Sequence, residues 1–132
     1  RSVLMRLREG PILVVTFTDP KTVLDNPPGM SFPDAAGRPY TGYGMYAAVS
    51  YDEGQAWPVK KLLTAGGPAR TLDGGGWTGT FTMDDTHAEP TRYLAATQSP
   101  DRIIHLISSG LHYRFNLSWL EQPTSIRTEQ HD

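Results

Sequence analysis

The 132-residue chain contains no cysteine, which excludes disulfides and thiolate metal sites. It has no apolar run of membrane-spanning length, so insertion into a bilayer is not expected. No signal peptide is visible. The chain begins at Arg1 rather than Met, which leaves room for a leader or a longer upstream region. Excess charge is also lacking: 12 Lys and Arg stand against 14 Asp and Glu, a formal net charge of −2. That balance gives no electrostatic grip on nucleic acid or an anionic membrane. No cofactor-binding pattern stands out, and none is expected. Cytoplasmic and exported locations are both permitted.

Helical periodicity is missing too. No long stretch places apolar residues at i, i+3, i+4 and i+7. The apolar runs are short, rich in Val, Ile, Tyr and Phe, and punctuated by 13 glycines and 11 prolines. The expected class is all-β, with a length that suits one domain and a modest core.

Strands are expected at "SVLMRL" and "PILVVTFTD", joined by the turn "REG". The Pro-rich stretch from Pro20 to Thr41 reads as a loop too broken for regular structure. A hairpin follows over residues 45 to 63, and then a second glycine-rich excursion over 65 to 91, with room for a small hairpin around "WTGTFTM". Three more strands are expected at "RYLAATQ", "IIHLISS" and "HYRFNLSWL", followed by a polar tail over 121–132.

Within the hairpin, "SYDEGQAW" poses the sharpest question, whether Asp52 is a ligand, an acid or a structural pin. Its carboxylate can accept backbone N–H bonds across a short turn, and Gly54 can take a positive φ. Ser50 can add a hydroxyl bond, and the Trp57 indole can cover one side. The structural role is the expected one. The meander then counts four strands over 1–64 and three over 92–120. A four-stranded meander is one propeller blade, so the second group is a blade short of a strand.

These residues resemble a known family. "SYDEGQAW" matches the Asp-box (BNR repeat) pattern Ser-x-Asp-x-Gly-x-x-Trp, with Ser50, Asp52, Gly54 and Trp57 in place. "LMRLREGPILVVTF" and "RYLAATQSPDRIIHLISS" look like the opening strands of successive sialidase blades, and "HYRFNLSWL" is similar to a closing segment. The resemblance, to the sialidase (neuraminidase) superfamily, implies two blades of a six-bladed β-propeller and puts Asp52 at the end remote from a sugar site.

Family sialidases use a tyrosine nucleophile with an assisting glutamate, an acid/base aspartate and three arginines that hold a carboxylate, an exception to the two-carboxylate glycosidase scheme. The resemblance implies Tyr93 as nucleophile, seven residues before Pro100; otherwise it is a strand tyrosine packed on a neighbouring blade. A phenol needs a carboxylate to take its proton. Glu89 and Asp85 lie in the preceding loop, although the family's glutamate comes from an earlier blade. The third-arginine position falls on Gly42. Arg38 and Arg70 are the substitutes, or else solvated loop charges. Trp77 and Tyr43 offer aromatic faces for sugars, whereas Tyr46 reads as core. His87 is a further candidate sugar contact; with His105, His112 and Glu89 it lacks close ligand spacing, so no metal is expected.

Two functions follow as expectations. One is a carbohydrate-active protein of this superfamily, an exo-glycosidase or a fragment of one acting on glycans. The other is a non-catalytic, oligomeric glycan-binding propeller. The expected partners are a glycan and either the rest of a larger propeller or two further copies, since three pairs of blades close a six-bladed trimer.

Overall fold

The computed structural model describes residues 2–19, 26–64, 68–73, 80–91, 93–108 and 111–122. Eleven strands appear among them: β1 (Val3–Arg6), β2 (Ile12–Phe17), β3 (Met30–Pro33), β4 (Pro39–Gly42), β5 (Met45–Ser50), β6 (Val59–Leu62), β7 (Arg70–Asp73), β8 (Thr80–Met83), β9 (Ala95–Gln98), β10 (Ile104–Ile107) and β11 (His112–Phe115). One short helix, α1 (Leu117–Glu121), follows. The architecture is all-β.

The first sheet has the order β1-β2-β5-β6 and the second β11-β10-β9, both antiparallel throughout. Alternation decides the faces. Leu13, Val15, Met45, Ala47 and Val49 share one face of the first sheet, and Ile104 and Leu106 one face of the second. All seven belong to a single buried cluster that also takes Leu7, Leu63, Ala88 and Leu120 of α1. The two sheets therefore pack through their apolar faces.

Three expectations need correction. The stretch 20–41 is not structureless, because β3 and β4 pair within it, Met30 opposite Gly42 and Pro33 opposite Pro39. Asp34 closes their turn, its Oδ1 accepting from the amides of Ala36 and Arg38. Phe32 then reaches the outer face of the first sheet, 5.7 Å from the Tyr46 ring. The second excursion holds the expected hairpin only in part, since β8 lies within "WTGTFTM" while its partner β7 lies upstream of that segment. Finally, the last strand ends at Phe115. Asn116 caps α1 by accepting the Trp119 amide at 2.9 Å, which turns "LSWLE" into a helix. Lys61 closes the other end, donating to the carbonyls of Trp119 and Gln122 at 2.9 Å each and lying 3.7 Å from the Trp119 ring centre. Burial lowers the Lys61 pKa to about 8.

The Asp52 turn has the predicted wiring. Ser50 Oγ donates to Asp52 Oδ1 at 2.9 Å and accepts from the Gly54 amide at 2.8 Å, while Asp52 Oδ1 also accepts the Ala56 amide at 2.9 Å. These bonds hold the Asp52 pKa below the usual carboxylate range, Ala56 contributing most. Gly54 has φ +90°, and a Cβ there would sit 3.8 Å from the Trp57 ring.

Three clasps stitch the turns at this end. Arg6 forks onto Glu53 with contacts of 2.5 and 3.0 Å. Tyr51 donates to Glu121, and burial followed by that carboxylate pushes its phenol up to about 12. Gln98, nearly buried, accepts the Arg8 amide at 2.6 Å and donates to Glu9 and to the Arg102 carbonyl.

Candidate functional site

The opposite end of the sheets is built differently. Register places Phe17 opposite Met45 and Tyr46 opposite Leu62 there, remote from Ser50. Residues 84–90 lace across this end. The Tyr43 amide donates to the Thr86 carbonyl at 2.8 Å, the Ala88 amide to Tyr43 at 2.7 Å and the Met45 amide to Glu89 at 2.9 Å. Gly44 sits in the lacing with φ +108°; an added Cβ would lie 2.7 Å from the Ala88 and Glu89 carbonyl oxygens. Only a residue without a side chain fits so close a crossing.

This lacing stacks the His87 ring on Tyr43, with centroids 4.7 Å apart and planes 14° apart. Asp84 Oδ1 lies 2.9 Å from His87 Nδ1, which orients the imidazole with Nε2 left for other contacts. Partial burial works against the Asp84 carboxylate, but the bonds from His87 and the Thr86 amide outweigh it and keep its pKa low. Beside the stacked pair a cleft of about 500 Å³ opens, lined also by Asp19, Pro27, Phe81 and Pro90. Asp19 is nearly buried, its carboxylate held by Thr18 Oγ1 at 2.6 Å and by the Gly29 amide at 3.1 Å. Among the described residues, the cleft has acidic, aromatic and hydroxyl groups in its wall and no Lys or Arg.

Comparison with known proteins identifies no relative. No protein family, curated protein or solved structure matches the chain.

The structure brings Tyr43 and His87 together, and sets Glu89 two residues further along the same segment. Glu89 is fully enclosed and accepts from Tyr113, not Tyr93: the Tyr113 phenol donates to Oε1 at 2.7 Å. Oε2 has no hydrogen-bond partner among the described residues. Burial first, then the Glu89 charge, pushes the Tyr113 pKa far up, while Arg70 pulls the other way. Arg70 thus lies within electrostatic reach of this pair, and its Nη2 approaches Met83 Sδ at 3.2 Å. Tyr93 is 59 % exposed just before β9. Arg38 is exposed in the β3–β4 turn and does not line this cleft. Trp77 lies outside the described residues, as do Arg92 and residues 123–132. Gly42 is a packing position, where a Cβ would meet the Phe32 ring at 3.0 Å, so a larger residue there would press on Phe32.

His105 and His112 stack, centroids 5.6 Å apart, with Nδ1 and Nε2 at 3.4 Å. Among the described residues no three metal-ligating side chains converge. No helix among them is long and apolar enough to cross a membrane. Sequence reasoning passed over Asp19 and Tyr113. The alternation "HYRF" was the available signal for Tyr113, since it puts Tyr113 on the same face as Phe115.

Proposed function

We propose that the chain is a glycan-binding part of a sialidase-like β-propeller, with its sugar site in the cleft between Tyr43, His87 and Asp19. The stacked Tyr43–His87 pair beside a buried carboxylate carries this reading. Aromatic faces take the C–H surface of a pyranose, and Asp19 and His87 Nε2 supply polar contacts to hydroxyls. Among the described residues the wall has no Lys or Arg, which favours a neutral sugar over an acidic one. The four-plus-three meander and the Ser50–Asp52–Gly54 turn at the other end support the propeller part of the reading.

The test is saturation-transfer NMR followed by calorimetry with neutral and acidic oligosaccharides. A neutral sugar should bind, and Tyr43→Ala and His87→Ala should each weaken it roughly tenfold, about 1.4 kcal/mol, without unfolding the protein. Absence of transfer from every sugar, or equal affinity in the variants, rejects the site.

The tyrosine–glutamate hydrogen bond favours a second reading, glycoside hydrolysis. Tyr93 remains the nucleophile implied by the family register, and Tyr113 is a tyrosine whose phenol donates to an enclosed carboxylate, Glu89. Aryl glycosides, a sialoside included, should be assayed with wild type, Tyr93→Phe and Tyr113→Phe. Turnover lost in one folded variant assigns the nucleophile; no turnover in the wild type leaves the binding reading. Assembly belongs to the same proposal. A closed ring, from three copies or from a longer protein, would cover the exposed Leu4. Light scattering that finds a stable monomer of the 132-residue chain excludes the trimer.

A further inference from the structure

Among the described residues, the second sheet lacks the strand that β6 supplies to the first. Among them β11 is consequently an edge, and a groove of about 650 Å³ runs beside it. All residues from Leu111 to Asn116 line that groove. A wall made of consecutive residues, both parities included, is the edge of a strand and not one of its faces. The far wall is apolar, with Leu63, Leu72 and Met83, and carries Arg70. Neither Arg70 nor Arg114 has a carboxylate partner among the described residues.

We propose that this groove is a strand-addition site for an extended segment of a partner protein in which apolar and acidic residues alternate. Neighbouring strands share faces, residue by residue. An added strand therefore sets one parity beside Tyr113 and Phe115, which face the core side with Leu106 and Ile104, and the other beside His112 and Arg114. The first parity wants apolar side chains and the second wants carboxylates. Backbone hydrogen bonds to β11 supply affinity and the charges supply selectivity. Six residues span about 20 Å, at ~3.3 Å each. Charge also argues against β1 of a second copy as the occupant, because its sequence VLMR carries a cation and no acid. This inference is independent of the sugar cleft.

The probes are blocked six-residue peptides alternating Val with Glu or Val with Lys, titrated into isotope-labelled protein at about 50 mM salt, where screening is weak. The Val/Glu peptide should shift the amides of residues 111–116 and bind roughly tenfold tighter than Val/Lys. R70E/R114E should reverse that preference; both side chains are exposed, and unchanged resonances elsewhere report an intact fold. N-methylation of the alternate peptide amides that face β11 should abolish binding, and methylation of the other set should not. Equal affinity for the two peptides, no shifts on β11, or retained binding of the peptide methylated on the facing amides overturns the proposal. So does self-association through β11, or an acidic oligosaccharide that shifts β11 when the peptide does not.

Discussion

Removing one oxygen atom, in Tyr113→Phe, should destabilise the protein by about 2–3 kcal/mol, the range for a hydrogen bond to a buried charged group. The phenol is the partner of Glu89 Oε1, and Oε2 has none among the described residues. The variant leaves an enclosed carboxylate with neither oxygen bonded, the costly half of breaking a buried polar pair. At roughly 3–5 °C per kcal/mol for a domain of this size, the melting temperature should fall by about 6–15 °C. Urea unfolding of wild type, Tyr113→Phe, Glu89→Leu and the double variant forms a cycle, and the coupling should account for most of the single-variant loss. Alkaline pH adds a second readout. The folded-state pKa of Tyr113 is raised, so above about pH 10 the unfolded chain loses a phenolic proton that the folded one keeps. Stability should fall as pH rises there, less steeply in Tyr113→Phe. A loss below about 0.5 kcal/mol, within the range of an ordinary surface change, together with no coupling, would refute the clasp.

Ser50→Ala should cost about 1–3 kcal/mol, because a buried hydroxyl leaves the Gly54 amide and Asp52 without it; sugar binding at the far end should survive wherever the variant is folded. Asp52→Ala should likewise lower the melting temperature without weakening binding, and lost binding at unchanged stability would show Asp52 to be a ligand. Arg102 holds φ +71°, a left-handed conformation costly for a residue with a side chain; Arg102→Gly should stabilise by about 0.5–1 kcal/mol once the extra freedom of unfolded glycine is subtracted. Lys61 is depressed to about 8, so between that value and its ordinary 10.5 the unfolded state binds more protons and stability should rise with pH. Urea midpoints at pH 7 and 9.5 test this, and Lys61→Met should abolish the rise.

Strands with alternating Val, Ile and Tyr were readable because each buries one face, and so was the Asp52 turn, whose side chains satisfy backbone groups only a few residues away. The hairpin β3–β4 was not, and of β7–β8 only the second strand was. Each strand has four residues, too few to show a period, and β3 and β4 end or begin at prolines. Their support is tertiary, as when Phe32 reaches Tyr46. The Tyr43–His87 stack escaped for the same reason, since it depends on the lacing of residues 84–90 over Gly44. Gln98 had a signal that went unused. In "LAATQ" it shares parity with Leu94 and Ala96, and a polar group on an inward face needs partners.

Those three clasps, at Glu53, Glu121 and Gln98, all lie at one end of the sheets. Fixing the turns there makes the two ends unequal as material for change. Outside the laced residues 84–90, lengthening or exchanging the connections at the other end alters what the molecule touches without disturbing how its sheets are held in register. Descendants of such a frame can diverge in recognition while the clasped end stays nearly constant. Amide exchange should record the clasped end within a single molecule as slow exchange around Ser50 and Gln98.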